Sequence, residues 1–195
     1  MKVWMCFVWV WIASVGVSFS QNAAPVEVVK SAEKAVQDLG SEIVNGHHQA
    51  AVDSMYPQWK ARMAKRSGGM EKLEESLRGI GDLLARSGIS VISVKTYGVP
   101  RSHEVWPGAG QDGATVYTKW LVLVPTVTRM RVLQEGHPKP ILIDSYGYQV
   151  AISDKGSNNW KFINGSDVGV ADLRLMFTSL PANIELPEVK REEVK

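Results

Sequence analysis

The sequence predicts an α+β domain in which helices come first and antiparallel strands follow. Between Pro25 and Gly88, apolar residues recur at steps of three and four, as they do on the buried faces of helices. After Gly88, β-branched residues dominate and turn residues separate the segments. The sequence has no internal repeat. Helices followed by a run of strands are typical of α+β proteins, whereas α/β proteins alternate the two.

The first twenty residues are typical of a secretory signal peptide. Lys2 supplies a positive charge, and residues 3–17 are apolar. Ser18 and Ser20 place small residues at positions −3 and −1 of a cleavage site before Gln21. The apolar run is shorter than the ~20 residues that span a bilayer. The sequence therefore predicts an exported protein, periplasmic or secreted, that does not stay in the membrane after cleavage.

The mature chain is nearly neutral and free of cysteine. The single cysteine of the sequence, Cys6, falls inside the predicted signal, so the mature chain can form no disulfide, thiolate metal site or cysteine nucleophile. Without Lys2, the 22 basic residues become 21, against 20 acidic residues. No basic block with interleaved aromatic residues occurs, so nucleic acid is not an expected partner. We expect one domain over residues 21–187 and a charged, flexible tail over residues 188–195.

Four helices are predicted in the first half of the chain, over residues 25–45, 49–55, 58–65 and from 70 to the glycine at 88. Two of them carry a regular apolar stripe that we expect to pack against the sheet, with Trp160 or Phe162 nearby. The stripe residues expected to be buried are Val36, Leu39, Leu73, Leu77 and Leu84.

The second half is predicted to hold strands over residues 89–97, 114–133, 141–153 and 160–163. Residues 98–113 contain two prolines and four glycines and are predicted to form a long polar loop. Pro125 cannot donate a hydrogen bond to a neighbouring strand, so an edge or a bulge is expected there.

Several segments of the mature chain resemble one superfamily. They are AAVDSMYP at 50–57, SGG at 67–69, VLVPT at 122–126, GYQVAISDKGSNNWKFING at 147–165 and LPANIELP at 180–187. Together with the order of elements, they resemble the nuclear transport factor 2-like superfamily, and within it a group of exported bacterial proteins. The resemblance implies a curved antiparallel sheet wrapped around helices to form a cone. It implies export as well, and it carries no particular activity.

Asp144 is the carboxylate that the strand pattern marks out. It shares a strand face with Tyr146 and with the apolar residues that follow, so it is expected to point into the cone. A carboxylate in an apolar pocket has a raised pKa and can act as an acid or a base. Enzymes of the superfamily that the chain resembles use carboxylates in this way, so the resemblance is compatible with such a role and does not assign it. The alternative is that Asp144 is exposed or pairs with Arg129 or Arg131 on the neighbouring strand.

The predicted ligand site comprises Tyr56, Trp59, Asp144 and Tyr146, which would form the wall of any pocket between helices and sheet. This set suits a small apolar or amphipathic ligand. The four histidines show no spacing typical of a metal site, and no nucleophile-elbow motif occurs. No metal, cofactor or catalytic residue is therefore predicted with the site.

The function expected from these observations is non-enzymatic binding of a small ligand or of a protein outside the cytoplasm. Two alternatives stay open. One is a cofactor-independent lyase, isomerase or hydrolase that uses Asp144 in the cone. The other is a structural homodimer that pairs through its sheet.

Overall fold

The structure is a computed structural model that describes residues 23–110, 113–134 and 139–194. The predicted signal peptide, residues 1–20, lies outside these ranges. Of the helices in the described ranges, none has the length and apolar character required to span a bilayer.

Five helices precede the first described strand, as predicted for the helical half, and one further helix lies between the last two strands. The chain from 26 to 53 forms two helices at nearly the predicted positions, and Pro57 begins the third at its first turn, where proline is well tolerated. The helices are α1 (Val26–Val44), α2 (Gln49–Asp53), α3 (Pro57–Ser67), α4 (Met70–Arg78), α5 (Ile80–Arg86) and α6 (Val170–Met176).

The strands form an open, antiparallel, six-stranded sheet, which confirms the α+β class. The order is β1-β3-β4-β5, with β2 also paired to β3 and β6 to β4. The strands are β1 (Ile89–Thr96), β2 (Arg101–Ala109), β3 (Thr115–Val132), β4 (Ile141–Asp154), β5 (Lys161–Asn164) and β6 (Lys190–Glu193).

The predicted loop over residues 98–113 is wrong, because residues 101–109 form strand β2. This strand pairs with one neighbour only, β3, from Arg101 opposite Leu123 to Ala109 opposite Thr115. An edge strand tolerates proline and glycine, since half of its backbone groups need no partner in the sheet. The prolines and glycines that indicated a loop are therefore compatible with the strand.

Pro125 lies in the centre of the sheet, in strand β3, rather than at an edge or a bulge. Its carbonyl accepts a hydrogen bond from the Tyr97 N–H at 3.1 Å. The N–H and C=O of one strand residue point to the same side. An N–H at this position would therefore point into the gap between the end of β1 and the start of β2. A central strand accommodates the proline because two short strands share that side of it.

The sheet is covered on both faces. Alternate residues of β4 contribute to two separate apolar clusters, as strand periodicity requires. Tyr148, Val150 and Ile152 pack with α6 and the segment after it, as the predicted strand parity requires. Ala151 packs on the other face with α1.

The α1 face confirms part of the predicted core. Val36 is buried, Leu39 packs beside it, and both belong to the cluster that contains Trp160 and Phe162. Helix and sheet lie in close contact at Gly40, where an added Cβ would lie 2.7 Å from Val94 Cβ. A glycine at this point allows α1 to lie directly on β1.

The predicted fourth helix is divided into α4 and α5 at Gly79. Leu73 is buried as expected, but Leu77 and Leu84 are only half-buried. The reason is that α4 packs mainly on α3 and α2, while α5 lies along β1. Leu77 on α4 therefore faces other helices instead of the sheet.

The C-terminal segment differs from the predicted flexible tail over 188–195. Residues 190–193 form β6, which pairs with Ile143 to Tyr146 of β4. All four β6 residues are exposed, in keeping with a solvated segment. Backbone pairing to the edge of β4 gives this segment a defined position on the sheet.

Candidate functional site

An apolar cavity of about 180 Å³ lies among helices α1, α2, α4 and α5. We call it the helical cavity. One of its lining residues, His48, is polar, and the others are aliphatic or methionine. The lining consists of Ile43, His48, Ala51, Val52, Met55, Leu77, Ile80 and Leu84.

The sequence explains why this cavity exists. Leu77, Ile80 and Leu84 continue the stripe that begins with the buried Leu73. Across the cavity lies α2, a helix of only five residues that contributes the small side chains of Ala51 and Val52 to the lining. Short helices and small side chains leave space that the leucines do not fill. The half-burial of Leu77 and Leu84 follows from this open space.

A wider, more polar cavity of about 460 Å³ adjoins the helical cavity and shares Ile43, His48 and Leu84 with it. We call it the mouth. Its wall includes Ser90 of β1 and Arg131 of β3. Helices therefore enclose the apolar end, and the sheet supplies the polar end.

Arg131 gives the mouth a positive charge. The residue is exposed, and none of the ion pairs among the described residues includes it. The neighbouring Arg129, two residues earlier on β3, is instead bound to Asp144. The two arginines differ because strand side chains two positions apart share a face but meet different partners. Within the described residues no carboxylate is paired with the Arg131 guanidinium, so this group can take an anionic ligand.

His48 lies at the boundary between the mouth and the helical cavity. A Cβ added at Gly81 would lie 2.7 Å from His48 Cδ2, so the imidazole rests directly on the α5 backbone. Any larger residue at 81 would displace the ring. The absence of a side chain at Gly81 therefore leaves room for the His48 ring at the boundary between the mouth and the helical cavity.

Asp144 is buried and forms a two-pronged ion pair with Arg129, at 2.7 Å from Arg129 Nε to Oδ1 and 2.7 Å from Nη2 to Oδ2. This is the pairing that the sequence left open as an alternative. The hydrogen bonds from Arg129 lower the pKa of the Asp144 carboxyl. The same contact raises the pKa of Arg129. A raised carboxyl pKa, which acid–base chemistry at Asp144 would need near neutral pH, is thus not found.

Tyr56 and Trp59 lie together in the apolar cluster on the α6 face. The Tyr56 N–H donates to the Phe162 carbonyl at 2.8 Å, and Phe162 pairs with Ala151 of β4. Asp144 is seven residues from Ala151 along the same strand, a separation of roughly 23 Å. The four predicted site residues therefore do not form the wall of one pocket.

Tyr146 lies with Asp144 at the far end of β4 and is half-buried. Its ring meets Tyr97 edge-on, with centroids 5.6 Å apart. The Lys190 ammonium of β6 lies 5.2 Å from the same ring. This end of the sheet is thus a set of paired side chains, which provides order at the strand ends.

Sequence reasoning missed the helical cavity because a stripe of leucines normally indicates core. The available signal was the pair of glycines at 79 and 81, within the stripe and close to Leu77 and Ile80. Glycines in a helix weaken it and leave room beside it. Arg131 could not be connected with these residues, because the contact depends on how β3 passes the helices.

The described residues contain no group of three or more His, Cys, Asp or Glu side chains that could hold a metal ion.

No protein-family model matches this chain, and neither the curated proteins nor the solved structures include a significant match to it.

Proposed function

We propose that this chain is an exported, non-enzymatic protein that binds a small amphipathic ligand in the helical cavity. One observation carries the proposal: an apolar cavity opens into a mouth that presents an arginine without an ion-pair partner among the described residues. Ligand sites combine apolar walls with a few polar groups that set orientation, and this arrangement has both.

The size of the helical cavity limits the apolar part of the ligand. A cavity of about 150 Å³ lined by aliphatic and aromatic side chains stays dry and binds benzene. At about 180 Å³, the helical cavity fits an apolar group of that size, such as a small ring or a short alkyl chain. Each buried methylene would contribute about 0.8 kcal/mol.

The charge of the mouth selects the other end of the ligand. Arg131 forms two parallel hydrogen bonds most readily with a carboxylate or a phosphate. The His48 imidazole, at the boundary, offers a further polar contact. The best candidates are therefore small carboxylates with a short apolar tail.

Binding without turnover is supported by the position of Asp144. This carboxylate is the acid–base candidate of the sequence, and Arg129 holds it in a two-pronged ion pair on the sheet. It does not line the helical cavity or the mouth. The cone fold of the nuclear transport factor 2-like superfamily is part of the proposal, supported by helices that precede an open antiparallel sheet.

The ligand proposal is tested with octanoate, titrated into the mature protein by calorimetry. Ala51→Leu would fill the helical cavity and should weaken octanoate binding at least ~10-fold, without loss of thermal stability. Ala61→Leu is the matched control, because Ala61 is exposed on α3 and should leave binding unchanged. Arg131→Gln should weaken octanoate but not octanol. Absence of octanoate binding, or equal binding by wild type and Ala51→Leu, would contradict the proposal.

The export part has its own test. Protein collected outside the cytoplasm should begin at Gln21, or within a residue or two of it. N-terminal sequencing or intact-mass analysis gives the answer. Exported material that still begins at Met1 would show that no signal peptide is removed.

A further inference from the structure

We propose that a second, independent site around Trp106 binds a neutral oligosaccharide. The site is a groove of about 370 Å³ between the start of α3 and strands β2, β3 and β4. We call it the Trp106 groove. None of its lining residues lines the helical cavity or the mouth. The lining consists of Tyr56, Pro57, Gln58, Trp106, Lys119, Ile152, Ser153, Asp154, Asn159 and Lys161.

Trp106 has a strained backbone. Its φ is +67°, and it is the one residue other than glycine with a positive φ in the described part of the chain. For a bulky L-residue this conformation is disfavoured, and strain of this kind concentrates at functional sites. Thr118 Oγ1 donates a hydrogen bond to the Trp106 carbonyl at 3.1 Å and so holds the turned backbone.

Burial does not explain why the strain is kept. The Trp106 side chain is 37% exposed, whereas Trp59, Trp120 and Trp160 are at most 8% exposed. A strained backbone that served the core would be expected to bury its indole. Here the strained backbone holds a large aromatic surface toward solvent, which is the arrangement of a binding platform.

Trp106 lines two cavities, the Trp106 groove and a smaller cavity of about 210 Å³ that is also lined by Pro107, Met176, Phe177 and Thr178. The rings of Trp106 and Phe177 meet edge-on, with centroids 6.5 Å apart. An extended ligand can therefore lie across Trp106 and contact both cavities.

The polar lining of the Trp106 groove has both signs of charge. Lys119 forms an ion pair with Asp154, and its ammonium lies 6.0 Å from the Trp106 ring centroid. Lys161 donates to the Asp53 carbonyl at 3.2 Å. The amides of Gln58 and Asn159 each add a donor and an acceptor.

This combination selects a neutral ligand with many hydroxyl groups. The charged groups already have partners in the protein, because Lys119 is paired with Asp154 and Lys161 donates to the Asp53 carbonyl. Hydroxyl groups donate and accept at once, so they match a lining with both kinds of partner. A pyranose ring also has an apolar C–H face, which fits flat against an indole. A saccharide meets both requirements, and the second cavity provides room for a neighbouring ring.

The test uses calorimetric titration of the mature protein with β-1,4-linked tetrasaccharides of glucose, xylose and N-acetylglucosamine. At least one should bind with a dissociation constant in the millimolar range or below. Trp106→Ala should weaken that binding at least ~10-fold, and Trp106→Phe should weaken it less. Tyr97→Ala is the matched control, since Tyr97 is also 37% exposed but lies outside the Trp106 groove. It should bind like wild type.

Octanoate titration distinguishes this proposal from the proposed function, because Trp106→Ala should bind octanoate as wild type does. If Trp106→Ala fails to fold by circular dichroism, Gln58→Ala replaces it, since Gln58 is exposed and at the rim of the Trp106 groove. The proposal is overturned if none of the three tetrasaccharides binds at roughly 10 mM. It is also overturned if the folded groove variant binds as tightly as wild type.

Discussion

The apolar stripe of α4 and α5 and the Asp144 carboxylate of β4 differ in how fully their neighbours contact them. Leu77 and Leu84 are ordinary core residues by sequence, yet they line an open cavity. Asp144 is the unusual residue by sequence, yet its cross-strand neighbour Arg129 donates a hydrogen bond to each of its carboxylate oxygens. A charge in a sheet finds a partner one strand away, whereas apolar side chains between short helices depend on volumes that must match. The candidate site proposed here therefore rests on unfilled space and not on an isolated charge.

The largest change in the free energy of unfolding is expected for substitutions within the stripe, and it tests this comparison directly. Leu73→Ala should lower the free energy of unfolding by about 2–5 kcal/mol, because Leu73 is buried and its truncation leaves a new cavity. Leu77→Ala should cost roughly 1 kcal/mol or less, since Leu77 already faces open space. Denaturant melts of both variants measure the difference.

Equal losses for these two variants would contradict the comparison. They would show that Leu77 is packed as tightly as Leu73 and that the helical cavity closes in solution. Ala61→Leu on exposed α3 serves as the control for surface changes and should stay within about 0.5 kcal/mol of wild type.

The sequence predicted the features that depend on neighbouring residues, and it missed the features that depend on contacts between distant segments. Helix α1 was predicted well because its stripe and the Asn45-Gly46 stop are local. Strand β2 was missed because prolines and glycines indicate loops, and only pairing with β3 shows that the segment is an edge strand. The parity of β4 was predicted correctly, which placed Tyr148 in the core.

The candidate sites were harder to predict than the fold. Tyr56, which the sequence placed in the wall of a pocket with Asp144, lines the Trp106 groove, and Asp144 does not. Trp106 itself fell in the supposed loop, where neither its exposure nor its backbone strain can be inferred. The mouth joins Arg131 to helices more than forty residues earlier, a contact that no local pattern encodes.

A smaller effect is expected at Tyr148, the buried neighbour of the polar end of β4. Its hydroxyl donates to the Val168 carbonyl at 3.2 Å, and burial raises the pKa of Tyr148 to about 12. Tyr148→Phe should cost roughly 0.5–1.5 kcal/mol at pH 7. The unfolded phenol ionises near pH 10, so wild-type stability should fall as the pH rises from about 10 toward 12, and the variant should lack this loss.

Chemical denaturation of both proteins between pH 8 and pH 11.5 measures the Tyr148 effect. The advantage of wild type over Tyr148→Phe should shrink above roughly pH 10. A constant difference across this range would show that the hydroxyl is not buried. Tyr148 would then belong with Tyr146, its half-exposed neighbour on the same face.

The smallest change in the free energy of unfolding is expected for the Asp144–Arg129 pair. This pair also bears most directly on the comparison. Because Arg129 lowers the pKa of Asp144, the folded state holds the ionised carboxylate more readily than the unfolded chain does. The stabilisation is therefore complete above the unfolded pKa of about 3.9 and is lost as the pH falls through the lower folded pKa. The difference in unfolding free energy between wild type and Asp144→Asn should be constant from pH 7 to about pH 5 and should shrink below roughly pH 4.

Arg129→Gln should remove most of this pH dependence, and the double variant should show that the two effects are not additive. Glu192 of β6 pairs in register with Asp144, but Lys190 neutralises it at 2.8 Å, so Glu192→Gln should leave the Asp144 profile nearly unchanged. A difference that grows below pH 5 would mean that the Asp144 pKa is raised. The carboxylate would then have the property of an acid–base catalyst, and the contrast between the satisfied charge and the unfilled stripe would no longer hold.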